Sequence, residues 1–382
     1  MGNVNVGKCR TLSDIEKMLS RIEEEPKESR FIFPLDAFGS RHSPMYDASR
    51  LQMIVTLARQ RLSDGYLDVH PNASEESALE ALCSYSPGIA GMRLSEGVRI
   101  GEALLDRYDA LKPAAEKMAN TDSERYDKVI SGRTIDLMCV SGSKVQYLKP
   151  LFASKSVIKE PESMRRAMKK LVRVINKESH EKVPDSLISS LGLFSTELMQ
   201  NTQEHAVFDH TGRPLPTHVE GMILGWKRLT EKMYLADFSG HAGLRRYWQN
   251  ESEKTDSGST SMRMFEVSYF DSGPGLVGRY TGTAVGDMSI EEEQAALIGS
   301  LRHKATSKPE SAAGEGFSLV LNELRRIGGL IRIRSGRLSM FNSFDRNDKK
   351  KDIFDFNEWV ESGLSPVQGA VISILVPLRG KV

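Results

Sequence analysis

The stretch that most constrains this chain is Glu197-Leu198-Met199-Gln200-Asn201-Thr202-Gln203-Glu204-His205-Ala206. Leu187, Leu191, Phe194 and Leu198 lead into it at steps of three and four, the spacing of one helical face. On that helix Glu197 flanks the apolar row, while Asn201 and His205 rotate into line with it. An acid, an amide and an imidazole therefore point toward the side that should be buried. Burying a neutral polar group without partners costs roughly 2–7 kcal/mol, and a charge costs more. A helix margin that stays wet avoids that cost, and so does a ligand with polar atoms and a metal of its own.

Three more motifs follow. Residues 264–270 are an apolar, β-prone run ending in Asp271-Ser272-Gly273-Pro274-Gly275. Next comes Lys304-Ala305-Thr306-Ser307-Lys308, then Gly314-Glu315-Gly316-Phe317-Ser318-Leu319. The last opens a helix marked by Phe317, Val320, Leu321, Leu324 and Ile327, with Gly328-Gly329 beyond its end. An E-x-x-x-N-x-x-x-H helix, a D-x-G-x-G turn, a T-S-K loop and a G-x-G helix start, in this order, resemble the ATP-binding domain of the GHKL superfamily. That superfamily includes gyrase, the heat-shock chaperone ATPases, histidine kinases and mismatch-repair ATPases. The motif style is most similar to histidine kinases and anti-sigma-factor kinases, and the likeness runs from residue 185 to the C-terminus.

The resemblance implies roles for single residues. Glu197 would be the general base, since a partly buried carboxylate accepts a proton near neutral pH. Asn201 would hold Mg²⁺ through its side-chain oxygen, alongside phosphate oxygens and waters. His205 would lie near the phosphates or the lid. Asp271 would accept from the exocyclic amine of adenine, with Gly273 and Gly275 letting backbone come close to the base. Gly314 and Gly316 open a helix whose N–H groups suit ATP phosphates. Residues 280–313 would form the lid, with Lys304 and Lys308 as phosphate contacts. Two departures stand out: Ser318 replaces the third glycine of G-x-G-x-G, and the span from Asn201 to Asp271 is long. That span holds strand-like runs at 221–229 and 233–238. A strand at 330–334 alternates Ile331 and Ile333 with arginines, and the run 370–378, following Gly369, resembles the family's closing G-[TA] element.

The first half carries no comparable motif. Ser13 and Glu16 form a capping box before Ile15, Met18, Leu19 and Ile22. A strand at 31–35 ends near Pro34, and Leu51, Ile54, Val55, Ala58 and Leu62 make one helical face. A further strand covers 66–69, so the order is that of a small α/β unit. Residues 74–126 read mostly as helix, with Leu104, Leu105, Tyr108 and Leu111 on one face. Strands at 134–140 and 145–148 close the half. A helix over 161–177 carries the apolar stripe Met164, Met168, Leu171, Val172 and Ile175, with Arg165, Arg166, Lys169, Lys170 and Arg173 around it. Such a basic face can bind nucleic acid, although it is more often simply solvated.

The expectation is a two-domain α/β chain. Residues 1–150 form a small N-terminal sensor or interaction domain, 151–184 a connecting basic helix and hinge, and 185–382 a GHKL-type α/β sandwich whose helices cover a mixed sheet. A net charge of +1 gives no global field for nucleic acid. Cys9, Cys83 and Cys139 are too scattered for a metal pair or a disulfide framework. No apolar run reaches a membrane span, and the first residues do not form a signal peptide. A cytoplasmic protein without membrane contact is expected, with ATP, Mg²⁺ and a protein partner or second copy as ligands. The leading function is an ATPase acting as a conformational switch. Alternatives are a serine or histidine protein kinase and a non-hydrolysing interaction module. The usual H-[DE]-L-[KR]-x-P helix of histidine kinases is missing, since His180-Glu181-Lys182-Val183-Pro184 has the wrong length.

Overall fold

The structure, a computed structural model, describes all residues except 1, 42, 61, 63, 72–73, 141–147, 155–156, 178–182, 256–257, 303–315, 347–351, 361–362 and 379–382, and the side chain of His205. Near the N-terminus, β1 (Asn3–Asn5), β2 (Arg30–Phe33), β3 (Tyr66–Val69) and β4 (Gly97–Ile100) lie parallel in chain order. The edge is completed by β5 (Ala103–Asp106), antiparallel to β4. The crossovers are α1 (Leu12–Glu24), α2 (Tyr46–Gln60) and the pair α3 (Glu75–Cys83) and α4 (Ser86–Leu94). Parallel crossovers are right-handed, so sequential strand order places these helices on one face. The other face is polar: Asp68 pairs with Arg30 and Arg99, and Arg99 also with Asp64.

Two local expectations are corrected here. The capping box of α1 is Thr11 with Asp14, because the helix starts at Leu12. Glu16 is free for another use. Leu104 and Leu105 belong to β5, not to a helix, since Gly101 at φ +62° turns β4 back on itself; Leu104 and Tyr108 are exposed.

Two short helices, α5 (Arg107–Ala110) and α6 (Ala114–Asp122), lead to β6 (Thr134–Val140), and β7 (Phe152–Ser154) and β8 (Val157–Ile158) make a small hairpin. The chain then enters α7 (Pro161–Ile175), α8 (Asp185–His205), β9 (Val219–Thr230), α9 (Glu231–Asp237), α10 (Ala242–Glu251), β10 (Glu253–Lys254) and β11 (Thr260–Asp271). It continues through α11 (Gly275–Thr281), α12 (Ile290–Arg302), α13 (Gly316–Ile327), β12 (Gly329–Gly336), β13 (Leu338–Phe344), β14 (Asn357–Glu358) and β15 (Val367–Pro377).

These strands build an eight-stranded sheet in the order β14-β13-β12-β15-β11-β9-β6, with β10 beside β11. Every pairing among its described strands is antiparallel, which corrects the expected mixed sheet. A tight turn at 336–337 joins β12 to β13, and only an antiparallel pair can be joined so closely. Residues 134–140 pair along β9, so the first 150 residues contribute an edge strand to this sheet rather than ending as a separate unit. Residues 233–238 are helical, within α9 and just past its end, because Thr230 caps the turn by accepting from the Met233 N–H. The second strand expected at 145–148, the hinge at 179–185 and the end of the lid fall wholly or partly outside the described residues.

One face of the sheet is covered by α7, α8, α12 and α13. The apolar row expected on α8 is buried there, as is the whole stripe of α7. Thus α7 is part of this core and packs on α8. Its basic residues are largely paired at the surface: Arg165 with Glu162, Lys169 with Asp185 and Lys170 with Glu124. The opposite face is covered by α1, α2 and α4, and at its far end by α9 and α10. Helix α2 lies between the two sheets and is buried from Tyr46 to Leu57, with no wet side there. No described helix is long and apolar enough to cross a membrane.

Candidate functional site

The C-terminal half of α8 presents Glu197 and Asn201 one turn apart, on a helix held down by Phe194, Leu198 and Met199. Glu197 is half-buried, and its carboxylate has no hydrogen-bond partner among the described residues. Burial, with Glu204 adding repulsion, pushes its carboxyl above the ordinary glutamate range. Its Oε2 lies over Gly316, the first residue of α13, so close that a Cβ at 316 would overlap it. The acid of one motif and the glycine of another thus meet in space. The first N–H groups of α13 have no partner within the helix, and the helix dipole makes that end favourable for negative charge.

Asp271 ends β11 beside the same helix. Its Oδ1 accepts from the Gly273 N–H at 2.8 Å and the Ala370 N–H at 3.3 Å. Burial nevertheless raises its carboxyl to about 6. The turn that follows sits directly on the end of α8: a Cβ on Gly273 would lie 2.6 Å from the Ala206 carbonyl oxygen. Gly369, in the left-handed region at φ +70°, donates its N–H to the Gly273 carbonyl at 2.8 Å and leaves no room for a Cβ against Asp271. Gly275, at φ +79°, starts α11 over Ser335, whose Oγ accepts from the Leu276 N–H at 3.0 Å.

The structure therefore gathers Glu197, Asn201, Asp271, Gly273, Gly275 and Gly316 around the last turns of α8 and the strand ends below it. Asn201 is partly exposed and its amide makes no hydrogen bond among the described residues. Lys304, Lys308 and Gly314 lie outside the described residues, as does the side chain of His205.

Two residues of this region went unread in the sequence. Glu220 stands directly across from Asp271 on β9 and is fully buried. Gln203 of α8 donates to its Oε1, while Oε2 has no partner among the described residues. Burial, reinforced by Asp271, pushes the Glu220 carboxyl up to about 8, so it is mostly protonated at neutral pH. The signal was available: Glu220 heads the alternating row Met222, Leu224 and Trp226, an acid in the buried phase of a strand.

Among the described residues no group of three or more His, Cys, Asp or Glu side chains could hold a metal ion. No family model, curated protein or solved structure matches this chain.

Proposed function

We propose that this chain is a GHKL-type protein that binds Mg-ATP and hydrolyses it, acting as a nucleotide-driven switch for a partner or a second copy. The observation that carries the reading is an unpaired carboxylate set against a glycine-opened helix start, with the turn of a buried aspartate on the end of the same helix two turns further on. Those elements come from segments far apart in the chain. Asp271, largely ionised at neutral pH, would accept from the adenine amine, while guanine would present an oxygen to it. The start of α13 would receive phosphate oxygens. Glu197 would take a proton from the attacking water as the water oxygen bonds to the γ-phosphorus and the β–γ bridging bond breaks, the electron pair leaving with ADP.

Asn201 would offer magnesium one amide oxygen, with phosphates and waters supplying the rest. When bound, the ion would neutralise phosphate charge. Calorimetric titration of Mg-ATP into wild type and Asp271→Asn tests the site. Binding should be strong in the first and weak in the second. Phosphate release should then fall by roughly 10²–10⁴-fold in Glu197→Ala, the range for a lost general base. Binding without release would instead favour transfer to a partner's side chain, and absence of binding by wild type would end the nucleotide reading.

A further inference from the structure

Helix α2 of the N-terminal unit reaches the candidate site from behind. Gln52, Thr56 and Arg59, at steps of four and three, share one helical face. Gln52 Nε2 donates to the carbonyl of Arg334 at 3.0 Å and to that of Gly369 at 3.4 Å. Thr56 Oγ1 accepts from the Gln368 N–H at 3.0 Å and donates to the Gln52 carbonyl at 2.8 Å. Arg59 donates to the Thr217 carbonyl and, at 3.3 Å, to Ser272 Oγ, which itself accepts from the Val219 N–H at 2.9 Å.

Each of the three residues has one contact on the two segments that frame Asp271, Gln52 at Gly369, Thr56 at Gln368 and Arg59 at Ser272. Ser272 is its chain neighbour, and residues 368–370 supply the Gly369 and Ala370 N–H groups that hold the turn. Gln52 and Thr56 are almost wholly buried, where apolar residues of the same size would satisfy packing alone. The other end of α2 is pinned as well, because Asp47 pairs with Lys227 of β9 at 2.9 Å. A rod fixed at both ends cannot let the turn shift without breaking one of these bonds.

We propose that Gln52, Thr56 and Arg59 are positioning residues for nucleotide-base binding, so that the N-terminal unit is a working part of the site. The inference rests on the nucleotide reading above. It makes α2 the element through which base binding and the state of the N-terminal unit are linked, and such linkage is reciprocal: loosening α2 weakens nucleotide binding, and bound nucleotide stabilises the docked α2 by the same factor.

The test uses the full chain with Mg-ATP titration and amide hydrogen exchange. Thr56→Val keeps the shape of the side chain and removes its hydroxyl; Gln52→Met does the same for the amide. Each should weaken ATP binding about fivefold, the scale of one buried hydrogen bond. Thr56→Ser should restore wild-type affinity. Ile54→Val, on the same helix, should leave affinity unchanged and controls for packing. In the ligand-free protein, exchange at the Gln368, Ala370 and Gly273 amides should accelerate in Thr56→Val, which reports positioning without any nucleotide. Wild-type ATP affinity and unchanged exchange at those amides in both polar-to-apolar variants would overturn the proposal while leaving the nucleotide reading intact. Absence of ATP binding by wild type would overturn both.

Discussion

The two faces of the eight-stranded sheet are equally dry, but the back face sets buried charges among its apolar residues Ile223, Met264, Phe270, Val371 and Leu375. The face under α8 and α13 carries Met222, Leu224 and Trp226 on β9, Phe265, Val267 and Tyr269 on β11, and Ile372, Ile374 and Val376 on β15. The face under α1 and α2 carries Lys227, Glu266, Ser268, Arg332, Arg334 and Ser373, all buried. There Asp47 accepts from Lys227 and from the Tyr85 hydroxyl, each at 2.9 Å, and Glu266 accepts from the Met45 N–H at 2.8 Å. Ser268 bridges Glu266 and Ser373 at 2.7 Å to each. Apolar contact is non-directional and holds a helix without choosing its register to a single residue. Hydrogen-bonded charges tolerate one register only, since a slip strands them without partners. Both faces supply apolar cohesion, and the buried charges of the back face also fix where the N-terminal unit sits.

The largest effects come from breaking either face at its most buried member. Phe194→Ala opens a cavity under α8 and should cost about 3–5 kcal/mol. Asp47→Ala should cost about as much, 3–5 kcal/mol, because the buried Lys227 and Arg50 both lose their paired carboxylate, Lys227 keeping only the Arg41 carbonyl as a hydrogen-bond acceptor. Urea melts measure both. The comparison sharpens in a second step: Lys227→Met added to Asp47→Ala should recover part of the loss, whereas no polar change can refill the Phe194 cavity. An Asp47→Ala cost below about 1 kcal/mol would mean that the back face is not held by its ion pairs.

That asymmetry also decided what could be read from sequence. The apolar rows of α7, α8 and α13 and the strands at 134–140 and 264–270 were legible because periodicity reports a face meeting oil. The rows Ile15, Met18, Leu19 and Ile22 on α1 and Leu51, Ile54 and Val55 on α2 were legible too, but the buried polar residues of the back face were not. Asp47, Gln52 and Thr56 look like the wet side of α2, and Arg332 and Arg334 like the outward phase of β12, until a second layer covers them. Nothing in local spacing announces that layer. Glu16 shows the same limit: it fits a capping box by pattern, yet it reaches Arg332 and Arg334 more than 300 residues on, with Arg334 Nη2 at 2.9 Å. For the candidate site the individual motifs were legible, but their meeting was not, because the contact of Glu197 with Gly316 is set by how α13 lands on α8.

Next in size is a contrast in pH dependence between the faces. Glu220, on the front, has its carboxyl raised from 4.5 to about 8 by burial and Asp271. Its contribution is complete below pH 4.5 and is lost as pH rises through about 8, with a slope of up to about 1.4 kcal/mol per pH unit between. Glu220→Gln, neutral at every pH, should remove that slope and leave a protein more stable than wild type at pH 8. Glu16, on the back, has the opposite sign. Burial pushes its carboxyl up, but Arg334 and Arg332 pull it below the ordinary range. Its contribution is present above the unfolded glutamate pKa and is lost as pH falls through the lowered one. Glu16→Gln should cost about 2 kcal/mol at neutral pH, the scale of hydrogen bonds to charged groups, and progressively less in acid. Thermal melts of wild type and both variants from pH 4 to pH 8.5 check the pair; parallel curves for all three would erase the distinction.

The smallest effect on stability should accompany a large one on activity. Gly316 has an ordinary helical backbone, so alanine there brings no strain and slightly better helix propensity. Its Cβ would collide only with the Glu197 carboxylate, the far end of a flexible chain that can swing away. Gly316→Ala should therefore change stability by less than about 1 kcal/mol. Yet the displaced carboxylate is the proposed base, and misplacing a catalytic group by an ångström can cost on the order of 10²-fold in rate. Phosphate release measured beside a urea melt separates the outcomes. A stable variant with slow release supports the meeting of Glu197 and Gly316 as functional. A stable variant with wild-type release means that Glu197 can be moved without consequence, and the base is then another group.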